Sequence, residues 1–530
     1  MPVLAGWFTG EQVPQEVIGQ TLMTMREVLG RYGGQPMQTV MPGAGLVAFA
    51  DAAYAIQQND EPPVLDWVPD RRTLVYRRPL SGMHALYYIE DWPAQGNLLF
   101  ASEIKALFAV GVPRRLHLAA IDALLRYGFI PAPWTAFKDI RVVPAGSILR
   151  WQRAKTIMNQ AADYHLDEPP AADIGNNALD HLHTLLDEKS AGLLPTHEQL
   201  VALTDGDSSS ALSTVLAAQH TSTAFTVAAI GYTKSTAGKA WKDAEHVAEV
   251  SERPFLAITG VDQPEFWTAT LAGLEAPDVN ARSLALHQLL HTVGEETGAR
   301  VAISGLGAHC LLGATIEKTI EHSSTDIEAA DILRWYGQTL TNKKIQELWS
   351  EEAAASLQGE ERWEDTLHAR KLARHAAQFS DRRQGWYYLD LHLRLPDAVV
   401  NPVQQLATQE RMIVRSPYLH ADVIDFLTRL PTMLNDGTRK DAILGKLAQR
   451  CVGDLTGTAA KLPLIAPTAS LLHLTDSEML QEVLSPAAVQ ALGIFNPAQV
   501  DELVKRKTVS RELVLVFTTQ MLCQLFGMGI

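Results

Sequence analysis

The spacing of hydrophobic residues divides the chain into regions of different predicted structure. Up to about residue 155, short apolar segments rich in β-branched and aromatic residues, such as 45–50, lie between turn-forming residues. Helical spacing predicts two helices among them, one over 14–31 and one over 102–108, with Ser102 as the N-cap of the second. The pattern therefore predicts a β-rich first domain over residues 1–155.

A different pattern follows a polar segment over residues 156–177, which we interpret as a linker because it contains two adjacent prolines and two adjacent asparagines. Beyond it, helices alternate with short apolar runs such as 199–203 and 300–304. Repeated strand–helix–strand units predict a parallel sheet covered by helices on both faces. After about residue 315 the 3.6-residue period continues to the end. We expect a second domain over 178–530 with a helical C-terminal part.

Composition and charge narrow the functional classes. The chain is 47% hydrophobic and 20% charged, which is typical of a globular protein, and its net charge of -15 disfavours non-specific nucleic-acid binding. No apolar run reaches the roughly 18–20 residues of a membrane helix, and the first residues do not resemble a signal peptide. Three widely spaced cysteines exclude a disulfide framework. We expect a cytoplasmic chain that binds neither nucleic acid nor membranes.

Two loops rich in small residues follow predicted strands. One is Thr-Asp-Gly-Asp-Ser-Ser-Ser at 204–210, and the other spans 304–313 and begins Ser-Gly-Leu-Gly. Ligands bind beyond the carboxyl ends of parallel strands, and a loop of small residues before a helix presents N–H groups to an anion. A nucleotide or phosphate site is the functional interpretation. The structural alternative is a tight strand-to-helix turn that needs small residues.

These loops, in this order and at this separation, resemble those of the class B asparagine synthetase family. The first lies where that family has LSGGxDSS, the pyrophosphate loop of its ATP site, and the second where it has SGEGADELFGG. Further segments resemble family motifs in the same order: 78–88 (RDxxGxxPLYY), 99–107 (LxFASEIKAL), 133–146 (the end of the first domain), 414–420 (VRxPFLD), 437–444 (GxxKxxLR) and 493–496 (the GIF element before the last helix). The resemblance therefore runs along most of the chain.

The resemblance implies a fold of α/β plus α+β type. The first domain would be an N-terminal-nucleophile-hydrolase-like αββα sandwich of the glutaminase kind. The second would be an adenine-nucleotide α-hydrolase-like synthetase domain with a doubly wound parallel sheet. Working members hydrolyse glutamine in the first domain and pass ammonia to the second, where ATP activates an aspartate carboxylate as an acyl-adenylate. ATP and magnesium are the implied cofactors.

The glutaminase nucleophile expected from the resemblance is missing. In the family it is a cysteine directly after the initiator Met, with the freed terminal amine as its base. Pro2 stands at that position, and proline has neither a nucleophilic side chain nor a primary amine. No cysteine precedes Cys310, and the family's glutamine-clamping RLSI and NGEIYN segments are not recognisable between 30 and 70. We therefore expect no glutaminase activity by this mechanism.

The first loop departs from the family at the magnesium position. Aligned without a gap, Ser208 replaces the magnesium-binding Asp and Asp205 replaces a glycine, whereas one deletion would align 207–209 with DSS. We prefer the ungapped alignment because it keeps Leu212 and Val215 in phase with the apolar helix positions. Asp205 near a pyrophosphate would be repelled by roughly a few kcal/mol at an effective dielectric near 20. A loop whose glycine requirement has relaxed is the alternative to a phosphate site.

The second loop also lacks the family's carboxylates. Leu306 replaces the Glu, and His309 and Cys310 replace Asp-Glu, of which the Asp is the second magnesium ligand. Histidine and cysteine suit zinc, but two adjacent residues do not make a metal site, so we expect a packed, functionally silent pair and no metal ligand. Lys440 matches the Lys of GxxKxxLR and Lys461 that of RxKxGF, which stabilises charge on the adenylated intermediate. Each could equally be a solvated surface lysine.

Two functions remain open from the sequence. The first is a non-catalytic homologue with a degraded ATP and magnesium site, which binds Mg·ATP weakly or not at all. It would bind a partner or ligand, as a subunit of a homo-oligomer or of a hetero-oligomer with an active relative. The second is a divergent AMP-forming amide ligase resembling β-lactam synthetases or lasso-peptide macrolactam cyclases, with Lys440 and Lys461 catalytic. We favour the first because the AMP-forming step needs its phosphate charge neutralised. Under the second, the residues expected to bind the nucleotide are Leu203, Thr204, Asp205, Gly206, Ser208, Ser209, Ser210, Val227, Ser304 and Gly305.

Overall fold

The computed structural model of the chain describes sixteen ranges and single residues. They are 3–30, 35–50, 65–68, 71–164, 166, 174–195, 197–231, 234–260, 264–277, 282–313, 333, 339–431, 434, 439–455, 478–506 and 510–529. Within these ranges, every helix is too short or too polar to cross a membrane.

Among the described residues, the first region contains ten strands and three helices. The strands are β1 (Val3–Phe8), β2 (Gln35–Met41), β3 (Ala44–Ala50), β4 (Leu65–Val68), β5 (Thr73–Arg77), β6 (Tyr87–Glu90), β7 (Leu98–Ala101), β8 (Arg141–Val142), β9 (Ser147–Gln152) and β10 (Lys155–Gln160). The helices are α1 (Gln15–Leu29), α2 (Ile104–Ala109) and α3 (Leu118–Tyr127). One antiparallel sheet has the order β2-β3-β1-β7-β6-β8, and the other has the order β10-β9-β5-β4.

Alternating side chains along β1 explain how the two sheets and the helices stack. Leu4 and Phe8 face the second sheet and pack in one core with Trp151. Trp7 faces the opposite way and packs in another core with Ile18 of α1. The predicted sandwich of antiparallel sheets is thereby confirmed.

The second region begins with a parallel sheet, as predicted. Its strands are β11 (Leu200–Leu203), β12 (Thr226–Gly231), β13 (Phe255–Thr259), β14 (Val301–Ile303) and β15 (Ile413–Arg415), in the order β13-β12-β11-β14-β15. Its first helices are α4 (Ile174–Gly192), α5 (Ser208–His220), α6 (Lys234–Val250), α7 (Pro264–Leu274), α8 (Arg282–Thr297) and α9 (Ala308–Leu311). Strands β12 and β13 extend the sheet on one side of β11, and β14 and β15 extend it on the other. The loop 204–210 follows the carboxyl end of β11, at this reversal of strand order, where ligands bind in open parallel sheets.

The rest of the second region is helical, which confirms the predicted helical C-terminal part. It comprises α10 (Asn342–Leu348), α11 (Glu351–Leu357), α12 (Leu367–Ala376), α13 (Arg382–Leu389), a π-helix (Asp390–Val400), α14 (Asn401–Gln409), α15 (Ala421–Arg429), α16 (Ile443–Cys451), α17 (Glu478–Val483), α18 (Pro486–Leu492), α19 (Pro497–Lys505) and α20 (Arg511–Phe526). Short 3₁₀ turns span Trp363–Asp365, Pro417–Leu419 and Lys440–Ala442.

The two regions share one hydrophobic core. Helix α20 is buried along most of its length, and its Phe517 packs edge-on against Trp267 of α7, with ring centroids 5.5 Å apart. The same core contains Leu107 of α2 and Ile121 of α3 from the first region. Because apolar side chains of both regions are buried in this core, the association of the regions contributes to the free energy of folding.

Two local predictions from the sequence are corrected by the structure. Ser102 does not cap α2, because its Oγ accepts a hydrogen bond from the backbone N–H of Leu4 at 3.1 Å. Glu275 of the second region replaces it, since its carboxylate accepts the N–H groups of Ile104 and Lys105, each at 2.7 Å. Strand β10 lies within the segment interpreted as a linker. Its side chains are mostly exposed, so its sequence lacks the apolar alternation of a half-buried strand.

We predict that Glu275 makes stability depend on pH. Burial raises the pKa of Glu275 from 4.5 to about 7, although Lys105, 3.9 Å away, acts in the opposite direction. The folded state therefore retains a proton that the unfolded chain releases in this window. The free energy of unfolding should fall as the pH rises from 4.5 to about 7, by at most about 1.4 kcal/mol per unit.

Denaturant unfolding of wild type and Glu275→Gln at several pH values measures this contribution, because the variant cannot titrate there. Glu265→Gln, an exposed change in the first turn of α7, is the matched control and should follow wild type. A difference between wild type and Glu275→Gln that stays constant across the window would contradict the assignment.

Candidate functional site

The loop 204–210 lies at the carboxyl edge of the parallel sheet, where β11 gives way to α5. Thr204 Oγ1 accepts the N–H of Gly206 at 3.0 Å and lies 2.9 Å from Ser210 Oγ. Gly206 has a φ of +80°, and a Cβ at this position would lie 2.4 Å from Asp243 Cβ. The turn therefore requires glycine for both its conformation and its packing.

Asp207 occupies the amino end of α5. Its carboxylate accepts the backbone N–H groups of Ser209 at 3.2 Å and Ser210 at 2.9 Å. It also accepts hydrogen bonds from both serine hydroxyls. These N–H groups are the ones that a helix of this kind presents to a bound anion. A side chain of the protein itself thus supplies the negative charge at this helix terminus.

His309 lies opposite Asp207. Its Nε2 lies 2.9 Å from Asp207 Oδ2, and both side chains are mostly buried. Burial alone would raise the pKa of Asp207, but the hydrogen bond and charge of His309 hold this pKa below its usual range. Asp207 is therefore an anion in the folded protein.

Asp205 shows the opposite behaviour. Its Oδ1 accepts the N–H of Asp207 and the hydroxyl of Ser210, each at 3.2 Å. Burial, followed by the neighbouring charge of Asp207, raises the pKa of Asp205 well above its usual value. The charge of Asp207 thus adds to burial in opposing the ionisation of Asp205.

The second loop approaches the first closely. A Cβ at Gly305 would lie 2.3 Å from Ser209 Oγ and 2.6 Å from the backbone N of Ser210, so only glycine fits there. Ser416 Oγ donates to the carbonyl of Leu306 at 2.7 Å and holds the loop against the turn before α15. The loops predicted to form one site are therefore in contact.

A cavity of about 70 Å³ lies between the loops. This is smaller than the roughly 300–1,000 Å³ of common ligand pockets. Leu286, Leu289, Val403 and Val414 give it a largely apolar wall. Seven of the residues expected to bind a nucleotide line it: Leu203, Thr204, Asp205, Ser209, Ser210, Ser304 and Gly305. The structure thus brings most of the candidate site together.

The remaining candidate residues do not line this cavity. Gly206 and Ser208 belong to the same turn but do not line the cavity, and Val227 is buried within β12. Lys440 is buried rather than on the surface, with Nζ 3.2 Å from the Tyr387 hydroxyl and 3.3 Å from the Thr428 carbonyl. Burial lowers the pKa of Lys440 to about 7. Lys461, like Pro2, lies outside the described residues.

Magnesium, the metal that the resemblance implies, prefers a near-octahedral set of hard oxygen donors. Both oxygens of Asp207 already accept protein hydrogen bonds, and His309 faces them where the resemblance places a second carboxylate. Across the part of the chain that is described, no three His, Cys, Asp or Glu side chains are arranged to hold a metal ion. This donor set does not fit magnesium.

Comparison with protein families agrees with this architecture. Residues 201–524 match the model of the asparagine synthase family, more than half of the chain. The chain belongs to the asparagine synthase family. Residues 65–164 match the glutamine amidotransferase domain, so the first region is of the amidotransferase type. Among curated proteins, none matches the chain.

Two parts of this asparagine synthase-family site escaped the sequence analysis. In the ungapped alignment Asp207 occupies the variable position of the family motif. The sequence predicts that His309 and Cys310 are packed side by side and have no function. Cys310 is indeed packed in the core, but His309 contacts Asp207 across 102 residues of sequence. An aspartate directly before a helix is a recognised N-cap signal, and this signal indicates Asp207 as the cap of α5.

We predict that Asp207 stabilises the fold more than an ordinary helix cap does. Asp207→Ala removes two backbone hydrogen bonds and the partner of His309, so it should lower the free energy of unfolding by about 2 kcal/mol or more. Asp381→Ala is the matched control, because Asp381 is an exposed N-cap whose side chain accepts the N–H of Arg383 at 2.9 Å. It should cost about 1 kcal/mol or less.

Denaturant unfolding of both variants, together with His309→Ala and the double variant with Asp207→Ala, forms a double-mutant cycle. A coupling energy near zero between Asp207 and His309 would show that the pair adds nothing to the cap.

Proposed function

We propose that this asparagine synthase-family chain is a non-catalytic member that serves as a structural or partner subunit. The observation that carries the proposal is the carboxylate of Asp207 on the N–H groups of Ser209 and Ser210, with His309 against it. A pyrophosphate would have to displace this internal anion. The protein's own side chains thus satisfy the groups that a nucleotide would otherwise bind.

Electrostatics supports the same conclusion. Two unit negative charges 4 Å apart repel by about 4 kcal/mol at an effective dielectric of 20. Burial and the charge of Asp207 already raise the pKa of Asp205 well above its usual value. A pyrophosphate beside them would add further negative charge without a magnesium site to balance it. Nucleotide binding in the manner of the family is therefore disfavoured.

The first region supports loss of glutamine hydrolysis independently. The family chemistry needs a cysteine thiolate, and no cysteine occurs among residues 1–309. The sandwich itself is retained and packs against the second region through a common core. Retention of the fold without the nucleophile fits a structural role.

A divergent amide ligase is the second candidate, and Lys440 is the observation that favours it. Its amine is buried with a pKa lowered to about 7, as in many catalytic lysines. Helix α16, which follows the 3₁₀ turn that contains Lys440, passes the first loop, since a Cβ at Gly445 would lie 4.0 Å from Ser208 Oγ. Tyr387 and Thr428 nevertheless account for the contacts of the amine in a purely structural role.

We predict that the purified chain performs neither half of the family reaction. It should release no more ammonia from glutamine than a reaction without protein, and it should not exchange labelled pyrophosphate into ATP in the presence of magnesium. A glutamine-dependent asparagine synthetase run in parallel validates both assays. Pyrophosphate exchange abolished by EDTA would establish the ligase instead.

A reverted chain sharpens this test. Asp207→Ala frees the helix terminus, Asp205→Gly removes the second carboxylate, and Ser208→Asp with His309→Asp restores the family's magnesium carboxylates. Calorimetric titration with magnesium and ATP should show tighter binding to the fourfold variant than to wild type. Equal binding by both would mean that Asp207 and His309 do not block the site.

The proposed subunit role predicts self-association or association with an active relative. Met23 on α1 and Met37 on the edge strand β2 are 53% and 62% exposed, and α1 packs beside β2. We expect light scattering to report at least twice the 58.1 kDa of one chain. Met23→Glu with Met37→Glu should halve that mass, whereas Leu367→Glu, also at an exposed apolar residue, should leave it unchanged.

A monomeric wild-type chain that also recovers no family relative from its native cells would contradict the subunit role.

A further inference from the structure

A second cavity, of about 130 Å³, lies between the first and second regions. The first region contributes three aromatic side chains to its wall, Tyr87, Phe129 and Trp134. The second region contributes Asp397 of the π-helix and Asn401 and Gln405 of α14. None of its lining residues lines the cavity beside the loop 204–210, so it is a separate site.

Two side-chain amides in the wall of this cavity converge on one hydroxyl. Asn401 Nδ2 and Gln405 Nε2 both donate to the Tyr87 hydroxyl oxygen, at 3.2 and 2.9 Å. Gln405 Nε2 also donates to the Leu274 carbonyl at 3.0 Å. The amide oxygens of Asn401 and Gln405, in contrast, accept no hydrogen bond from the described residues. These two amides therefore leave two acceptor oxygens at the cavity.

Asp397 adds a charged acceptor. Its Oδ2 accepts the backbone N–H of Ala132 at 2.8 Å, while its Oδ1 accepts no hydrogen bond within the described ranges. The side chain is 6% exposed, and the nearest cation, Arg78, lies 3.7 Å from Oδ1, beyond hydrogen-bond distance. Arg78 directs its own N–H groups to the carbonyls of Gly82 and Val143. Asp397 is thus a buried carboxylate with an incompletely satisfied oxygen.

The charged side chains that line the cavity are acidic. Asp397 and Glu275 line it, whereas no lysine or arginine does. Their cation partners Arg78 and Lys105 lie 3.7 Å from Asp397 Oδ1 and 3.9 Å from Glu275 Oε1, outside the lining. Burial raises the pKa of Asp397 to about 6 and that of Glu275 to about 7, although the two cations act in the opposite direction. Asp397 also lies in the 11-residue π-helix, a rare element that often occurs at functional sites.

We propose that this cavity binds a small organic cation, a primary ammonium with a short alkyl chain. An ammonium group has three N–H donors and no acceptor, which matches Asp397 Oδ1 and the oxygens of Asn401 and Gln405. The faces of Trp134 and Phe129 suit the alkyl chain and can attract the cation. A neutral ligand would bring no further positive charge to Asp397, and an anionic ligand would be repelled by it. The inference does not depend on the state of the nucleotide site.

Calorimetry on the full chain with n-butylammonium, in an amine-free, slightly alkaline buffer, tests the proposal. 1-Butanol and butyrate are the neutral and anionic ligands of similar size. We expect saturable binding of n-butylammonium and no measurable binding of the other two. Equal binding of butanol would show an apolar cavity without charge recognition, and the absence of any binding would leave ordered water as its occupant; either result overturns the proposal.

Variants locate the site. Asp397→Asn keeps the shape and removes the charge, so it should weaken n-butylammonium binding by about tenfold or more. Asp66→Asn, on exposed β4, is the matched control and should change it less than about twofold. Asn401→Leu, which removes a neutral acceptor, provides a second test if Asp397→Asn proves unstable. Unchanged affinity in folded forms of both cavity variants would exclude this site.

Discussion

Buried helix termini dominate the structure of this chain, because the first N–H groups of a helix have no partner within it and must find an acceptor. At α5 the acceptor is Asp207, the residue directly before the helix. At α2 it is Glu275, a residue of the other region 171 positions away from Ile104. The first carboxylate shapes the candidate nucleotide site, and the second fixes how the two regions meet.

The consequence at α5 is chemical. An anion-binding terminus attracts a phosphate only while its N–H groups are available, and a carboxylate held there by the chain competes at very high effective concentration. His309 increases the stability of that arrangement because it pairs with the same carboxylate. One interaction therefore links the two altered loops, whose changes look independent in the sequence. Their joint effect is an internally satisfied site.

The sequence predicted the parts of the fold whose pattern is local. The strands β11 and β12 and the helix α5 follow from apolar period and turn residues, and the loops at the sheet edge follow from their small residues. It could not predict the contacts of Asp207 with His309 or of Glu275 with α2, because each joins segments more than 100 residues apart. The sequence did not predict strand β15, because a strand of three residues is too short to show an alternating pattern of apolar and polar positions.

The two cavities differ in how completely their polar groups are hydrogen-bonded. That difference bears on ligand binding more directly than similarity to family motifs does. Beside the loop 204–210, carboxylates, hydroxyls and backbone N–H groups satisfy one another, so a charged ligand gains little by entering. Between the regions, Asp397, Asn401 and Gln405 each have an oxygen that accepts no hydrogen bond from the described residues. Buried polar groups cost free energy until they are paired. The gain from binding is therefore larger where pairing is incomplete, at the contact between the two regions rather than at the inherited nucleotide loop.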